Sequence, residues 1–242
     1  MSKRFYLPAQ EIHGDQAVLR DREAHHAARV MRMKVGEHLV LFDGEGREYQ
    51  GTIREISKGE VVLSLERCVE ENHKGVALSV ACALPKHVQM ERVIEKLTEA
   101  GVQTILPMIT QRTVPRMKGA GETKKILRLK QIATEAAKQC GVSRLPEISR
   151  IFSFSEVLGQ ASTYPLALFL TPHGRPLQEC LKGKAADRVI VAVGPEGGWS
   201  EAEEAEAEKS GWTLVSLGNR ILKVETVSLA IVSILHYALD AS

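Results

Sequence analysis

Cysteine is sparse in this sequence. The 242 residues hold four, at 68, 82, 140 and 180, none in a C-x-x-C pair and none at zinc-ligand spacing from a histidine. That argues against a cysteine-held metal, and scattered thiols in a chain of this size point to a reducing cytosol. No H-E-x-x-H or comparable metal set occurs, so no metal is expected. Long hydrophobic runs are also missing. The longest, VSLAIVSILHYAL at 227–239, contains His236 and is too short to span a bilayer. The opening MSKRFYLPAQ lacks the apolar segment of a signal peptide, so the expectation is a cytoplasmic protein with no membrane partner. Net charge is slight, at +2, and by itself selects no partner class. With 44% hydrophobic and 26% charged residues, the composition is that of a folded soluble protein and argues against disorder.

Charge is unevenly placed, however. Residues 111–150 carry ten Lys or Arg (112, 116, 118, 124, 125, 128, 130, 138, 144 and 150) against three acids (122, 135 and 147). Such a block attracts polyanions, unless it is a solvated helix face balanced by acids elsewhere.

The first 70 or so residues read as short strands with one helix. EHLVLFDGEGREYQGTIREI has two apolar runs around Asp43-Gly44-Glu45-Gly46, a hairpin signal, and GEVVLSLERCV alternates like a strand. EAHHAARVMRM has helical spacing through Ala24, Ala27, Ala28 and Met31. EENHKG at 70–75 reads as a linker. The pattern then changes. VALSVACAL, QTILPMI, PLALFLT, RVIVAVG and WTLVSLG are strands apolar throughout, as expected when both faces of a parallel sheet are covered. Between them lie PKHVQMERVIEKLTEAGV, an amphipathic helix with Met90, Val93, Ile94 and Leu97 on one face, and the helix ETKKILRLKQIATEAAKQCG. A further helix is expected at 225–240. The predicted organisation is a β-rich domain over 1–72 and an α/β domain with a mostly parallel sheet over 73–242.

Three strand exits in the second domain are rich in Gly or Pro: FLTPHGRP (169–176), VGPEGGWS (193–200) and SLGNRILKVET (216–226). Loops at the carboxyl ends of neighbouring parallel strands suggest one pocket. The Gly194-Pro195-Glu196-Gly197-Gly198 loop is not a Walker loop, because Trp199 and Ser200 stand where Lys and Ser/Thr are needed. Nor does it have the spacing of a dinucleotide fingerprint or the serine of a nucleophile elbow. Glu196 would repel a pyrophosphate and tolerate a cationic ligand. Ser200 reads as a helix N-cap with Glu203 in the capping-box position. Glu201, Glu203, Glu204, Glu206 and Glu208 then read as a solvated face.

VAVGPEGGWSEAE followed by LGNRILKVETVSLAIVSIL closely resembles the SPOUT superfamily of S-adenosylmethionine-dependent RNA methyltransferases. Within it, the whole chain resembles the 16S rRNA (uridine-N3)-methyltransferase family. HHAARVMRMKVGEHLVLFDGEG is similar to that family's N-terminal PUA-like RNA-binding barrel, and ERVIEKLTEAGVQTILPMITQRTV and EAAKQCGVSRLPEI to its middle segments. Lys223 and Val227 stand where the family usually has Arg and Ala.

The resemblance implies a trefoil knot in the α/β sheet, a homodimer, S-adenosyl-L-methionine as cofactor, and N3 of a uridine in small-subunit rRNA, within the assembled 30S subunit, as methyl acceptor. It implies that Gly194, Pro195, Glu196, Gly197 and Gly198 shape the cofactor pocket, that Leu217, Gly218 and Leu222 hold the adenine, and that Leu170 and Thr171 approach from the neighbouring exit. Arg220 would stabilise the uracil anion or orient the base, or else make a salt bridge across the knot. Glu225 would accept a proton or position Arg220, or simply complement the helix dipole. Arg29, Arg32, Arg112, Arg116 and Arg144 are candidate RNA contacts. His25 and His26 are expected to serve helix packing, or else to touch RNA, and Cys140 to be a small buried hydrophobe. The alternatives are a methyltransferase acting on a ribose 2′-hydroxyl, or a ribosome assembly factor without catalysis.

Overall fold

The structure is a computed structural model, and it describes residues 3–70, 75–84, 89–113 and 119–240. It has two compact units: Met1–His73 with Thr134–Leu145, and Lys74–Ala133 with Pro146–Ser242.

The first unit is a curled six-stranded sheet. Its strands are β1 (Arg4–Tyr6), β2 (Ile12–His13), β3 (Gln16–Arg20), β4 (His38–Phe42), β5 (Arg47–Ser57) and β6 (Glu60–Glu70), in the order β1-β4-β5-β6-β3-β2. Register shifts at Gln50/Gly51 and Ile53/Glu55 interrupt the long β5–β6 ribbon, as bulges do where a sheet must bend. The expected hairpin is present between β4 and β5. Asp43 closes it, its Oδ1 accepting the N–H groups of Glu45 at 2.8 Å and Arg47 at 3.0 Å. The expected helix over 23–33 is instead α1 (Asp21–His25) continued by one π turn, His26–Val30, in which Met31 N–H reaches back to the His26 carbonyl. Arg32 then ends it with φ 53°. His26 packs on Phe5, ring centroids 5.6 Å apart, whereas His25 is exposed.

Residues 134–145 depart from the domain boundary read off the sequence. They belong to the first unit: Lys138 Nζ donates to Glu23 Oε1 at 2.9 Å, Arg4 Nη2 to Ser143 Oγ at 3.1 Å, and Leu145 N–H to the Gly44 carbonyl at 2.9 Å. Cys140, expected to be buried, is exposed here.

The second unit holds β7 (Ala77–Ala83), α2 (Gln89–Glu99), β8 (Thr104–Ile109), the first part of α3 (Ala120–Cys140), β9 (Glu147–Ile148), β10 (Phe152–Ser153), α4 (Phe154–Leu158), β11 (Leu166–Pro176), α5 (Leu177–Leu181), β12 (Arg188–Val193), α6 (Glu201–Lys209), β13 (Thr213–Ser216) and α7 (Val224–Leu239). All its strands pair in parallel, in the order β10-β8-β7-β12-β11-β13, with β9 beside β8. Alternation explains the unbroken apolar runs. Val80, Cys82, Leu168, Leu170, Val191 and Val193 face α2 and α7, while Ala81, Ala83, Phe169, Ile190 and Ala192 face Trp199, Trp212 and α4. Met90, Val93, Ile94 and Leu97 of α2 are all buried, as their spacing predicted. From the edge strand β13 the chain returns to the middle of the sheet, where α7 packs on α2 and β12.

Candidate functional site

The exits of β11, β12 and β13 lie side by side because the strands are adjacent and parallel. They enclose a cleft of about 660 Å³ that is open to solvent. Leu170 and Thr171 line it from β11. Gly194, Pro195, Glu196 and Gly198 line it from β12, and Leu217, Gly218, Arg220 and Leu222 from β13. Val193, Ile221, Val224 and Val227 complete an apolar wall. Of the candidate cofactor residues, Gly197 alone is off the wall. Glu225 is also off it, half-buried in the first turn of α7 with its Oε2 buried and, among the described residues, without a hydrogen-bond partner.

Trp199, which the sequence reading passed over, fixes the geometry of these loops. Its Nε1–H donates to the Leu170 carbonyl at 2.9 Å, and its ring stacks 4.3 Å from Phe169. One side chain thereby ties the β12 exit to the β11 exit. The indole also lies directly against Gly194, where a Cβ would stand 2.8 Å from Trp199 Cε2. Gly198, at φ 68°, completes the turn by donating its N–H to the Pro195 carbonyl at 2.9 Å.

The glutamate run is only partly solvated. Ser200 and Glu203 form the expected capping box, but Glu203 is 1% exposed. Its Oε2 accepts Ser200 N–H at 2.8 Å, and its Oε1 accepts Gln111 N–H at 3.0 Å, which fastens the β8 exit to the start of α6. Beside that bond, Arg112 Nη1 donates to the Gly197 carbonyl. Glu204 accepts from the Thr171 hydroxyl and from His173 Nδ1. Two of the five acids are therefore held by hydrogen bonds to neighbouring strand exits.

Part of the basic block is likewise matched by acids. Arg128 pairs with Glu91, Lys138 with Glu23 and Arg150 with Glu156. Paired with Arg150 and hydrogen-bonded by Ser153, the Glu156 carboxyl is held down at about 2. Of the candidate RNA contacts, Arg29 and Arg32 are exposed on and just after the π turn. Arg144 lies over Gly46, where a Cβ would meet its Nη2 at 2.7 Å. Arg116 lies outside the described residues. Arg220 is exposed and, among the described residues, makes no ion pair, so the salt bridge across the knot is not formed there.

On β7, beside Val193 of β12, burial pushes the Cys82 thiol up to about 12, and the charge of Glu196 adds to the rise. Native alkylation at mildly alkaline pH should therefore label the exposed Cys68 and Cys140 and spare Cys82. Mass spectrometry of the labelled protein checks this, and rapid labelling of Cys82 would contradict the closed packing beneath Glu196. Among the described residues no group of His, Cys, Asp or Glu could hold a metal ion, and no helix is long and apolar enough to cross a membrane.

Residues 72–236 match the family described as an RNA methyltransferase domain, and residues 19–66 match an RNA methyltransferase PUA domain. A parallel sheet with three loops around one cleft, preceded by a β unit of that kind, defines an RNA methyltransferase with a PUA domain. The chain is 30% identical over 173 residues to the ribosomal RNA small subunit methyltransferase E of Mesomycoplasma hyopneumoniae, covering 72% of this chain and 74% of that one. The solved structure of a Legionella pneumophila methyltransferase with bound cofactor SAM superposes with a TM-score of 0.90, at 29% identity over 98% of each chain. Ribosomal RNA small subunit methyltransferase E of Neisseria gonorrhoeae, solved with S-adenosylmethionine, superposes with a TM-score of 0.87, at 26% identity over 99% of this chain and 98% of that one. The chain belongs to the ribosomal RNA small subunit methyltransferase E family.

Proposed function

We propose that this protein transfers the methyl group of S-adenosylmethionine to N3 of a uridine in small-subunit rRNA. The observation that carries the reading is the single cleft built by the Gly194–Gly198 and Leu217–Leu222 loops. Its apolar wall of Leu217, Leu222, Val224 and Val227 suits adenine, and Glu196 supplies one negative charge for a cationic ligand. S-adenosylmethionine, when bound, supplies a methyl group already activated on sulfonium sulfur.

The chain's own residues then have three tasks. Glu196 and the backbone of the Gly194–Gly198 loop orient the ligand. Arg220, on the cleft wall and without an ion-pair partner among the described residues, offsets the charge that develops on uracil as N3 loses its proton. Glu225 places a negative charge at the N-terminus of α7. N3 lies on the pairing edge, so the base must be unpaired and turned out of any stack. Arg29, Arg32 and Arg144 are proposed to contact the RNA backbone. A second copy of the chain is proposed to cover α7, where Leu229, Ile234 and Tyr237 remain exposed, Tyr237 by 86%. Two relatives are named for small-subunit rRNA and two solved neighbours hold the cofactor, which supports the same reading.

The test uses small ribosomal subunits lacking the modification, methyl-labelled S-adenosylmethionine and nucleoside mass spectrometry. N3-methyluridine is the expected product; a 2′-O-methylated nucleoside, or no incorporation, would overturn the proposal.

Arg112 is assigned here to the cofactor loop. Arg112→Met keeps the stem and deletes the donor to Gly197. The loss of one exposed hydrogen bond, about 0.5–1 kcal/mol, should weaken cofactor affinity roughly twofold to fivefold, with kcat little changed. Cofactor titration checks this. Unchanged affinity together with weakened RNA binding would return Arg112 to the RNA surface.

A further inference from the structure

The reaction proposed above needs a proton acceptor, because uracil N3 carries a hydrogen at neutral pH. Glu225 is off the cleft wall, and Glu196 belongs to the ligand loop. A third group is next in sequence to the cleft wall. Thr171 and Pro172 line the cleft, and His173 follows directly. The His173 Nδ1 is 3.2 Å from both oxygens of Glu204, and its backbone N–H donates to Thr171 Oγ1 at 3.3 Å. The Thr171 hydroxyl in turn donates to Glu204 Oε1. Glu204 is the shielded member of the cluster, its side chain 15% exposed against 77% for His173.

This is the arrangement that prepares an imidazole as a base. A carboxylate accepting from Nδ1 selects the tautomer with hydrogen on Nδ1 and leaves the Nε2 lone pair free on the opposite edge of the ring. It also stabilises the imidazolium once Nε2 has taken a proton. The charged group in contact with the ring is Glu204 on α6; Glu196 and Arg220 line the cleft that Thr171 and Pro172 also line, and Arg175 lies further along β11. The adjoining strand β13, with sequence TLVS, carries none.

We propose that His173, oriented by Glu204, is the general base that removes the N3 proton of the uridine during methyl transfer, a role that rests on the uridine-N3 reading above. The step balances. The N3–H proton goes to His173 Nε2, the N3 electron pair forms the bond to the methyl carbon, and the S–CH3 electron pair stays on sulfur, leaving neutral S-adenosylhomocysteine. His173 then gives its proton to water. Glu204 is a positioning residue.

The test compares wild type, His173→Gln and Glu204→Gln on unmodified small subunits across pH, with cofactor affinity measured by calorimetry. His173→Gln should bind S-adenosylmethionine as wild type does and lose about 10²-fold or more in kcat at neutral pH. It should recover at alkaline pH, where uracil N3 ionises unaided. Glu204→Gln should lower kcat by a smaller factor, leave KM for the cofactor unchanged, and shift the imidazole 15N signals away from the Nδ1–H tautomer. A His173→Gln variant with wild-type kcat and pH profile would overturn the inference. So would one that stays inactive at alkaline pH, or one that loses the cofactor. Wild-type protein that forms no N3-methyluridine would instead overturn the underlying function, so the two failures are distinguishable.

Discussion

Arg220→Ala is expected to lower kcat by about 10²–10³-fold, the usual cost of removing a preorganised group that meets developing charge. Cofactor affinity should change little. Arg220 is exposed on the cleft wall and, among the described residues, has no ion-pair partner, so its removal leaves no buried charge behind and stability should hold. Lysine at the same position should restore part of the rate by supplying charge without the planar fork. The measurements are steady-state kinetics on unmodified small subunits and a cofactor titration of the same variant. Turnover within a few-fold of wild type would remove Arg220 from the chemistry.

Gly194→Val is expected to abolish detectable cofactor binding. The added Cβ would lie 2.8 Å from Trp199 Cε2 and 3.0 Å from Nε1, closer than a Cβ can stand without something shifting. The indole cannot yield freely, because it is bonded to the Leu170 carbonyl and stacked on Phe169. Any displacement therefore shifts two walls of the cleft together. Overpacking of this kind costs about 1–3 kcal/mol in stability, visible as a lower Tm. Gly197→Ala is the control. Its Cβ would meet Arg112 Cδ at 3.5 Å, an ordinary contact, and binding should stay near wild type. Equal binding by wild type and Gly194→Val would show that the β12 exit does not form the site.

The parallel sheet was legible because burial on both faces leaves no polar alternation in β7, β11 or β12, and such runs admit few other readings. The three exits were legible because glycine and proline mark sharp turns whatever surrounds them. Side-chain destinations were not. Glu203 and Glu206 sit alike in a helix rich in glutamate, yet Glu203 is buried with its carboxylate shared between Ser200 and Gln111. The one local sign was its capping-box position, which predicts the bond to Ser200 and not the one from a loop 92 residues away. Arg112 and Arg128 look equivalent within a basic block, but one braces Gly197 and the other pairs with Glu91. Residues 134–140 could not be assigned to the first unit from periodicity, because α3 runs on unbroken through the point where its surroundings change. The π turn after His25 was hidden for a similar reason: its apolar spacing differs from that of an α-helix by only one residue per turn.

The most direct test of the account is a crystal structure with S-adenosylmethionine bound. The account predicts the adenine against Leu217 and Leu222, the sulfonium held between the Gly194–Gly198 and Leu217–Leu222 loops, and the methyl group facing the side of the cleft that carries Arg220. Density for the cofactor at any other place on the chain, or a phosphate-bearing nucleotide displacing it from this cleft, would contradict the account.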